Sequence, residues 1–514
     1  MDVRSASSHP ARTIVVGAGV GGLAAAIDLA SHGCAVTVIE SAEGPGGKIR
    51  CLEVGERRVD AGPTVLTMRW VFDELFARAG RSFDDHVTLD RAAVLARHVW
   101  CDGSFLDLFA NHERTVESVA TFAGGDEADR YRAFMRYARR IYEAVEEPFL
   151  RSQRPNLARL LRHVGARGFA PLVHIDPTRS MWRALCSFFR DPRLRQLFAR
   201  YATYCGSSPF SAPATLHLIA HVESQGVYRV RGGMVALSSA LAEVARALGV
   251  DFVFRTRVGS VRLTNGRASA VETTAGERIE ADAIVLGADV SGVAAGLFGA
   301  DAAASVRAPE EGMRSLSAMT WAAVARTGGV QCAHHNVFFS PDCATEFREL
   351  FAAERVPDAP TVYVCAQDRG DEAGELGEER LLLIVNAPAT GDDPSRWSQE
   401  EVERCERAAF ATLSSCGLKL SPRAMVHTTP IDFERLYPET GGALYGRRTS
   451  GVFSTLSRPS SQTSVPRLYL AGGTVHPGPG VPMAALSGMR AAESVLSDLA
   501  STHRLLPAAT AGST

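Results

Sequence analysis

The N-terminal segment alternates between apolar runs and one glycine-rich turn. Thr13–Val16 is a short run rich in β-branched residues, Val20–Ser31 is apolar on a helical period, and Ala35–Glu40 is a second apolar run. β-Branched runs predict strands and the segment between them predicts a helix. Because a helix lies between the two strands, the pattern indicates a βαβ unit.

The pattern changes along the rest of the chain. Helical periodicity predominates from about Val71 to Ala220. Asp251–Val258, Val261–Thr264 and Ala268–Thr274 then alternate in the manner of strands, and Asn265-Gly266 between the last two predicts a hairpin turn. The middle of the chain therefore predicts helices followed by strands.

Apolar runs like those of the first unit return later in the chain, at Ile279–Gly287 and again near residue 468. Leu381–Val385 predicts a buried strand, while the polar stretches Asp371–Arg380 and Gly391–Glu401 predict surface loops. The recurrence predicts that strands from distant segments join the first unit in one discontinuous domain.

Composition narrows the class of protein. The chain has 514 residues, a net charge of −2 and no long block of one charge, which argues against nucleic acid as the main partner. The 10 cysteines include no CxxC pair and no zinc spacing, which fits a reducing, cytoplasmic compartment. The N-terminus shows no signal peptide, and no apolar run is long enough to predict a membrane span.

The turn between the first strand and helix has the spacing of a dinucleotide cradle. Gly17 allows the tight turn, Gly19 lets the backbone approach a pyrophosphate, and Gly22 permits close packing of helix on strand. The N-terminus of the helix presents N–H groups to the anion. Glu40 ends the second predicted strand, where a carboxylate binds ribose hydroxyls.

The residues after this unit favour FAD over NAD. Gly47, Lys48 and Arg50 supply bare backbone and cations beside the phosphate site, and Gly62 lies in a second glycine–proline turn. This spread suits a larger cofactor that continues along the protein. The sequence has no second GxGxxG for a nicotinamide, so we expect reduced flavin to be reoxidised by a diffusible quinone or oxygen.

A rigid loop near the C-terminus predicts the wall against the flavin ring. The segment "AGGTVHPGPGVPMAALSG" includes Gly473 and Val481 and leads from a short strand into a helix that starts near Pro482. Prolines fix φ and cannot donate hydrogen bonds, and the helix points its positive end at the ligand. A plain connection between strand and helix is the alternative interpretation.

These motifs resemble the carotenoid desaturase family of bacterial type, part of the wider group with flavin amine-oxidase-like folds. The resemblance is carried by "VVGAGVGGLAAAIDLASHGCAVTVIE", "GPGGKIR", "DAGPTVLTMRWVFDELF", "DPRLRQLFARYATYCGSSPF", "GVYRVRGGM", "HHNVFFS" and "LYLAGGTVHPGPGVPMAALSGMRAA", spread over almost the whole chain. Two segments, "DAGPTVLTM" and "HPGPGVPMAALSG", look most like the 1-hydroxycarotenoid 3,4-desaturases. Gly473 stands where the wider group commonly has an acid, and Val258 matches a backbone contact to adenine.

The resemblance implies an FAD enzyme that introduces a C3–C4 double bond into an acyclic 1-hydroxycarotenoid. Hydride leaves C4 for flavin N5, the polyene carries the cation, and C3 then loses a proton. A protein base is not required by this chemistry, and we assign none. A phytoene or neurosporene desaturase of the same family is one alternative, and a non-catalytic FAD-containing carotenoid carrier is another.

Three residues are pocket candidates. His476 lies in the C-terminal loop, His335 follows His334 before an apolar strand, and Tyr204 lies in "YATYCGSSPF". Each also has a structural interpretation, namely a loop hydrogen bond for His476 and a core position for Tyr204. No third ligand accompanies the histidine pair, so we predict no metal site.

The resemblance also implies access to a lipid-soluble substrate. Residues 148–175 contain no acid and five arginines, on a short amphipathic pattern that fits either a membrane surface or packing on the protein itself. The arginines are Arg151, Arg154, Arg159, Arg162 and Arg167. We expect a cytoplasmic protein peripherally associated with the inner or photosynthetic membrane.

The predicted fold class is α/β, with a discontinuous Rossmann-like FAD-binding domain of flavin amine-oxidase type and an inserted α+β substrate domain. The predicted limits are a flexible arm at 1–11, the FAD-binding domain at 12–95, 226–300 and 425–503, the substrate and membrane-docking domain at 96–225 and 301–424, and a flexible tail at 504–514.

Overall fold

The computed structural model describes residues 10–153, 175–308, 310, 312–370, 377–451, 454 and 458–504. The strands are β1 Arg12–Val16, β2 Ala35–Ile39, β3 Cys51–Val54, β4 Arg57–Asp60, β5 Leu89–Arg91, β6 Val94–Val99, β7 Phe105–Phe109, β8 Tyr228–Val230, β9 Asp251–Val253, β10 Val258–Thr264, β11 Arg267–Thr273, β12 Arg278–Glu280, β13 Ala283–Leu286, β14 Ser317–Gly329, β15 His335–Phe338, β16 Val362–Ala366, β17 Glu379–Ala387, β18 Leu418–Thr428 and β19 Leu468–Leu470.

The α-helices within the same ranges are α1 Val20–Ser31, α2 Trp70–Arg78, α3 His112–Ala123, α4 Gly125–Val145, α5 Met181–Phe188, α6 Pro192–Ala199, α7 Leu218–Gln225, α8 Met234–Ala247, α9 Val290–Ala294, α10 Ala300–Ala304, α11 Cys343–Phe351, α12 Gln399–Ser415, α13 Pro430–Leu436 and α14 Val481–Arg504. None of these helices is both long and apolar enough to cross a membrane.

A parallel sheet of five strands carries the predicted βαβ unit. Its order is β19-β13-β1-β2-β9, and every neighbouring pair is parallel. The order places β13 beside β1 and β19 beside β13, so two strands that are distant in sequence join the first unit, as the recurring apolar runs predicted. All four residues of β13 are buried, which fits a strand covered on both faces.

Glycines allow α14 to pack directly on α1. A Cβ at Gly488 would lie 2.1 Å from the carbonyl oxygen of Gly21, and a Cβ at Gly22 would lie 2.0 Å from that of Gly17. Neither position has room for a side chain. The two helices, from opposite ends of the chain, therefore share a core that covers one face of the sheet.

A sheet of seven strands forms the second layer, in the order β18-β14-β17-β16-β15-β6-β7. Its neighbours are antiparallel except for the parallel pair of β6 and β15. Two predicted domain limits, at 95 and 425, fall inside β6 and β18 of this sheet. The domain limits as a whole stay a prediction.

Three expectations about elements were wrong. The helical region predicted from Val71 to Ala220 also contains β5, β6 and β7, because β6 pairs with the distant β15. The single strand predicted at Ile279–Gly287 is two strands, β12 and β13, which belong to different sheets. The polar loop predicted up to Glu401 ends earlier, because Ser398 caps α12 by accepting a hydrogen bond from the Glu401 N–H.

Four further predictions meet the limits of the described residues, and two of these, the arm at 1–11 and the tail at 504–514, lie almost entirely outside them. Residues 371–376 of the loop predicted at Asp371–Arg380 lie outside them, and the stretch ends in β17. The basic pattern at 148–175 lies largely outside them as well, since residues 154–174 are not described.

Candidate functional site

A cavity of about 660 Å³ lies at the carboxyl ends of the parallel strands. Its wall includes the residues that follow β1, β2, β13 and β19, and it also includes residues from the seven-stranded sheet and from α7. Ligands of open α/β sheets bind at this edge. Ten of the predicted cofactor-binding residues line it: Gly17, Gly19, Glu40, Gly47, Lys48, Arg50, Gly62, Val258, Gly473 and Val481.

The glycines of the cradle have distinct roles. Gly17 has a φ of +99°, which favours glycine, and Gly19 is extended with φ −72° and ψ 172°. A Cβ at Gly19 would meet only the Cα of Gly47, at 3.8 Å. Because Gly19 has no side chain, its backbone is directly accessible from the cavity. Gly22 does not line the cavity and instead packs against Gly17, the packing role that its spacing predicted.

Glu40 directly follows β2 and is held by backbone. Its Oε2 accepts a hydrogen bond from the Ala18 N–H at 2.6 Å, and its Oε1 accepts one from the Ala42 N–H at 2.8 Å. Oε1 also accepts a hydrogen bond from the Ser41 hydroxyl at 3.2 Å, whereas Oε2 keeps a further lone pair for a ribose hydroxyl. Val258 begins β10 and lines the cavity with Thr256, whose N–H donates to the Glu40 carbonyl at 2.9 Å.

Both predicted cations reach across to the C-terminal part of the chain. Lys48 Nζ donates to the Leu444 carbonyl at 2.7 Å, and Arg50 Nη2 donates to Thr428 Oγ1 at 3.1 Å. Burial lowers the pKa of Lys48 and of Arg50. Both cations are half-buried on the cavity wall, where an anionic ligand such as a pyrophosphate would stabilise their charge.

The C-terminal loop closes the cavity beside the cradle. A Cβ at Gly21 would lie 2.8 Å from the backbone nitrogen of Gly472 and 3.2 Å from the carbonyl oxygen of Ala484. Gly473 and Val481 both line the cavity, and α14 begins at Val481, so the positive end of a helix meets the wall.

Sequence reasoning missed Asp289. It lines the cavity, and its buried Oδ2 has no hydrogen-bond partner among the described residues, while Oδ1 caps α9. An orphaned carboxylate oxygen here can accept a hydroxyl of a cofactor that extends past the cradle. The sequence could have indicated this residue, because Asp289 follows β13, a strand that the recurring apolar run had predicted. The cradle, the two half-buried cations and this acceptor together fit a flavin dinucleotide.

Tyr204 lines the same cavity, together with two charged residues that sequence reasoning did not single out. Arg200 Nη1 donates to the Tyr204 hydroxyl at 3.4 Å, and that hydroxyl donates to Glu223 Oε1 at 2.8 Å. Arg200 and Glu223 are also cavity-lining residues. Burial raises the pKa of Tyr204 and of Glu223.

His476 does not reach the cavity wall. Its Nε2 lies 2.9 Å from the Phe149 carbonyl oxygen and 3.2 Å from that of Ser152, and its ring meets Phe149 edge-on. Burial lowers the pKa of His476 to about 4, so the neutral imidazole donates to these carbonyls. The geometry is that of the loop-stabilising alternative.

The histidine pair is also absent from the cavity wall within the described ranges. His335 is buried, and its Nδ1 lies 2.7 Å from the hydroxyl of Tyr363, which does line the cavity. His334 Nε2 lies 3.6 Å from Cys365 Sγ, a neighbour that the linear sequence did not reveal. Three potential metal ligands, His334, His335 and Cys365, therefore come together at this point of the sheet, whereas the sequence had shown no third ligand beside the histidine pair.

Residues 20–496 match the family of flavin-containing amine oxidoreductases. The chain belongs to this family. Because the family is flavin-containing, the predicted FAD cofactor is confirmed.

Curated relatives of the chain include hydroxyneurosporene desaturases. The one from Rubrivivax gelatinosus is 48% identical over 497 residues, which is 96% of this chain and 94% of that protein. The one from Cereibacter sphaeroides is 42% identical over 496 residues, 96% of this chain and 99% of that protein. The resemblance to bacterial carotenoid desaturases is confirmed, and the chain belongs to the same family as these proteins.

Solved structures confirm the predicted fold class. Wild-type putrescine oxidase bound to putrescine has a TM-score of 0.57 at 16% identity and covers 95% of this chain and 99% of its own. Cyclohexylamine oxidase from Brevibacterium oxydans has a TM-score of 0.55 at 14% identity and covers 96% of this chain and 100% of its own. At such identities the likeness concerns the α/β fold of flavin amine-oxidase type alone.

Proposed function

We propose that this flavoprotein is a carotenoid 3,4-desaturase that introduces a C3–C4 double bond into an acyclic 1-hydroxycarotenoid. The observation that carries the proposal is the 48% identity to a hydroxyneurosporene desaturase over 96% of the chain. The cavity supports the proposal, because the predicted cofactor-binding residues and a set of apolar residues line the same continuous cavity.

The residues of the chain position and shield the reacting atoms. FAD supplies the hydride acceptor when it is bound. Leu218, Ile219 and Val222 on one face of α7, with Leu382 and Ile384 of β17, give the substrate part of the cavity an apolar wall that excludes water. A polyene cation in such a space is protected from attack by solvent. The start of α14 favours negative charge on the ligand beside it.

We also propose that electrons leave through a diffusible quinone or oxygen. The proposal rests on the single dinucleotide cradle of the sequence, which provides no site for a separate nicotinamide. Desaturation removes two electrons and two protons from the substrate, and the acceptor must take up the same number. Product formed beyond one equivalent of enzyme only when quinone or oxygen is supplied would support this route.

Peripheral contact with a membrane is a further part of the proposal. Its support is the acid-free basic stretch that begins at Arg151. Arg151 itself donates to Glu74 at 3.2 Å and lies over the ring of Trp70 at 4.2 Å, so its guanidinium is already engaged within the protein. Changing Arg154, Arg159 and Arg162 to Gln is expected to reduce co-sedimentation with anionic vesicles at low salt. The same change at exposed Arg278, Arg407 and Arg435 is the matched control.

Product analysis tests the proposed reaction. FAD-loaded protein is given a 1-hydroxylated acyclic carotenoid, phytoene or neurosporene in liposomes, with and without a quinone. The expected result is a product two hydrogens lighter, with new unsaturation at C3–C4, from the hydroxylated substrate alone. Desaturation of phytoene or neurosporene instead would favour the first alternative. No product and no reduction of flavin under anaerobic conditions would favour a carotenoid carrier.

A further inference from the structure

A polar relay of Arg200, Tyr204 and Glu223 lines the cavity beside its apolar wall. Arg200 donates to Tyr204, and Tyr204 donates to Glu223. The guanidinium also lies near the rings of Tyr204 and Tyr363, at 5.5 and 5.4 Å from their centroids. Removing charged groups from water costs free energy unless a ligand or the protein supplies hydrogen bonds to them.

The guanidinium has donors to spare. Arginine carries five N–H groups, and within the described ranges its one side-chain hydrogen bond is the 3.4 Å contact to Tyr204. Arg200 lines the cavity and is only partly buried, so its remaining N–H groups can reach a ligand there. A hydrocarbon end group would leave them without an acceptor, whereas an oxygen atom would supply one.

The direction of the relay fixes what Tyr204 can offer. Because its hydroxyl proton is donated to Glu223, Tyr204 presents only lone pairs to the cavity. The other carboxylate oxygen of Glu223 accepts a hydrogen bond from the Tyr201 hydroxyl at 2.5 Å, on the side away from this cavity. Arg200 and Tyr204 thus offer one donor and one acceptor side by side, which is the pattern that an alcohol completes.

The relay adjoins residues that we predict to hold the flavin. Tyr363, beside Arg200, lies with its hydroxyl 2.7 Å from Thr64 Oγ1, and Thr64 belongs to the same turn as Gly62. An oxygen on C1 is four covalent bonds from C4, a reach of about 5 Å. A group that binds this oxygen must therefore lie close to the flavin if C4 is to react.

We propose, building on the desaturase function above, that Arg200 and Tyr204 form a subsite for the C1 oxygen of the substrate. Arg200 donates to that oxygen, and Tyr204 accepts the proton of a C1 hydroxyl. Glu223 is a positioning residue that orients Tyr204. The subsite selects an oxygenated end group over a hydrocarbon one, and a hydroxyl over a methyl ether.

Three substrates separate these two selections. They are an acyclic carotenoid with a C1 hydroxyl, its C1 methyl ether, and the same polyene without oxygen, each measured as kcat/KM for product formation by FAD-loaded protein. Arg200→Leu is expected to lower the preference for hydroxyl over hydrocarbon by about 10- to 100-fold, since it removes a hydrogen bond from a charged donor. Tyr204→Phe is expected to lower the preference for hydroxyl over methyl ether by about 3- to 10-fold.

Tyr201→Phe is the matched control. It removes a hydrogen bond to the same carboxylate, but Tyr201 lines a second cavity of about 410 Å³ and not the first. We expect a lower melting temperature in this variant and both substrate preferences unchanged within about twofold. The flavin-to-protein ratio of every variant reports its folding.

Two results would overturn the subsite. One is an active wild type whose preferences persist in flavin-loaded Arg200→Leu. If that variant does not load flavin, an unchanged preference for hydroxyl over ether in Tyr204→Phe overturns it equally. In both cases the desaturase function stands. A wild type that leaves the C1-hydroxylated carotenoid unchanged would overturn that function and the subsite together.

Discussion

At the scale of single residues, a substitution at Gly19 should affect cofactor binding without affecting folding. Its extended backbone suits any residue, and an added Cβ would touch only Gly47 Cα, at 3.8 Å. The protein therefore accepts a side chain at this position, whereas a pyrophosphate in the cradle does not.

We expect Gly19→Asp to fold and to lose FAD. A carboxylate about 4 Å from a phosphate charge costs about 4 kcal/mol at an effective dielectric constant of 20, close to a thousandfold in affinity. Gly44→Asp adds the same charge at a position away from the cavity with no atom within 4 Å, and it should bind FAD normally. Stoichiometric flavin in purified Gly19→Asp would contradict the assignment of the cradle.

Glu346 makes stability depend on pH. It is buried and accepts hydrogen bonds from the N–H and hydroxyl of Thr361, and burial raises the pKa of its carboxyl to about 7 from 4.5. The native state thus keeps a proton that the unfolded chain releases near pH 4.5. The contribution of Glu346 to stability is full below that pH and is lost as the pH rises toward about 7.

Glu346→Gln should remove this dependence, because the amide resembles the protonated carboxyl. Relative to wild type, we expect the free energy of unfolding of the variant to rise by about 2–3 kcal/mol between pH 5 and pH 8. Denaturant titrations at both pH values measure it. Exposed Glu403→Gln is the control, and an equal pH profile for Glu346→Gln and wild type would refute the prediction.

At the scale of secondary structure, a helix–helix contact without side chains links the two ends of the chain. A Cβ added to Gly488 in α14 would lie only 2.1 Å from the carbonyl oxygen of Gly21 in α1. Backbone cannot yield as a flexible side chain does, so any larger residue must separate the helices.

Gly488→Ala is expected to lower the free energy of unfolding by about 1–3 kcal/mol, as overpacking does. It should also weaken FAD binding, since the start of α14 forms part of the cavity wall. Gly125→Ala at the start of α4 has no atom within 4 Å of the added Cβ and should change stability by less than about 0.5 kcal/mol. Equal melting temperatures for the two variants would contradict the packing argument.

Elements that form from local pattern were predictable, and those that need a distant partner were not. β1, α1 and β2 follow from apolar periodicity and the glycine cradle within one short segment. β6 was missed because its apolar residues are mixed with Arg97 and His98, and its pairing partner β15 lies far along the chain. The β propensity of its residues is a weak guide to such a strand, because its formation depends more on pairing within the surrounding sheet.

At the scale of the whole molecule, the sequence predicted the cofactor end of the cavity better than the substrate end. The spacing of glycines after a strand indicates a pyrophosphate site, because the tight turn and the close approach of backbone to the ligand require residues without side chains. No spacing rule marks Arg200 or Glu223, because their role depends on which side of α7 and its neighbours faces the cavity. His476 shows the converse, because it belongs to a loop that lines the cavity but its own side chain contacts the carbonyls of Phe149 and Ser152 instead.

Because the cavity wall joins segments from both ends of the chain, FAD should stabilise them together. We expect bound FAD to slow amide hydrogen exchange in both α1 and α14, and saturation at 100 times Kd to add about 2.7 kcal/mol to the opening free energy they share. Mass spectrometry of peptides from apo and FAD-loaded protein measures both. Helix α12 packs on the seven-stranded sheet away from the cavity, so its exchange should change little. In Gly19→Asp, added FAD should protect neither α1 nor α14. Protection confined to α1 in the wild type would mean that the C-terminal loop does not hold the cofactor, and it would contradict the shared site on which the proposed function depends.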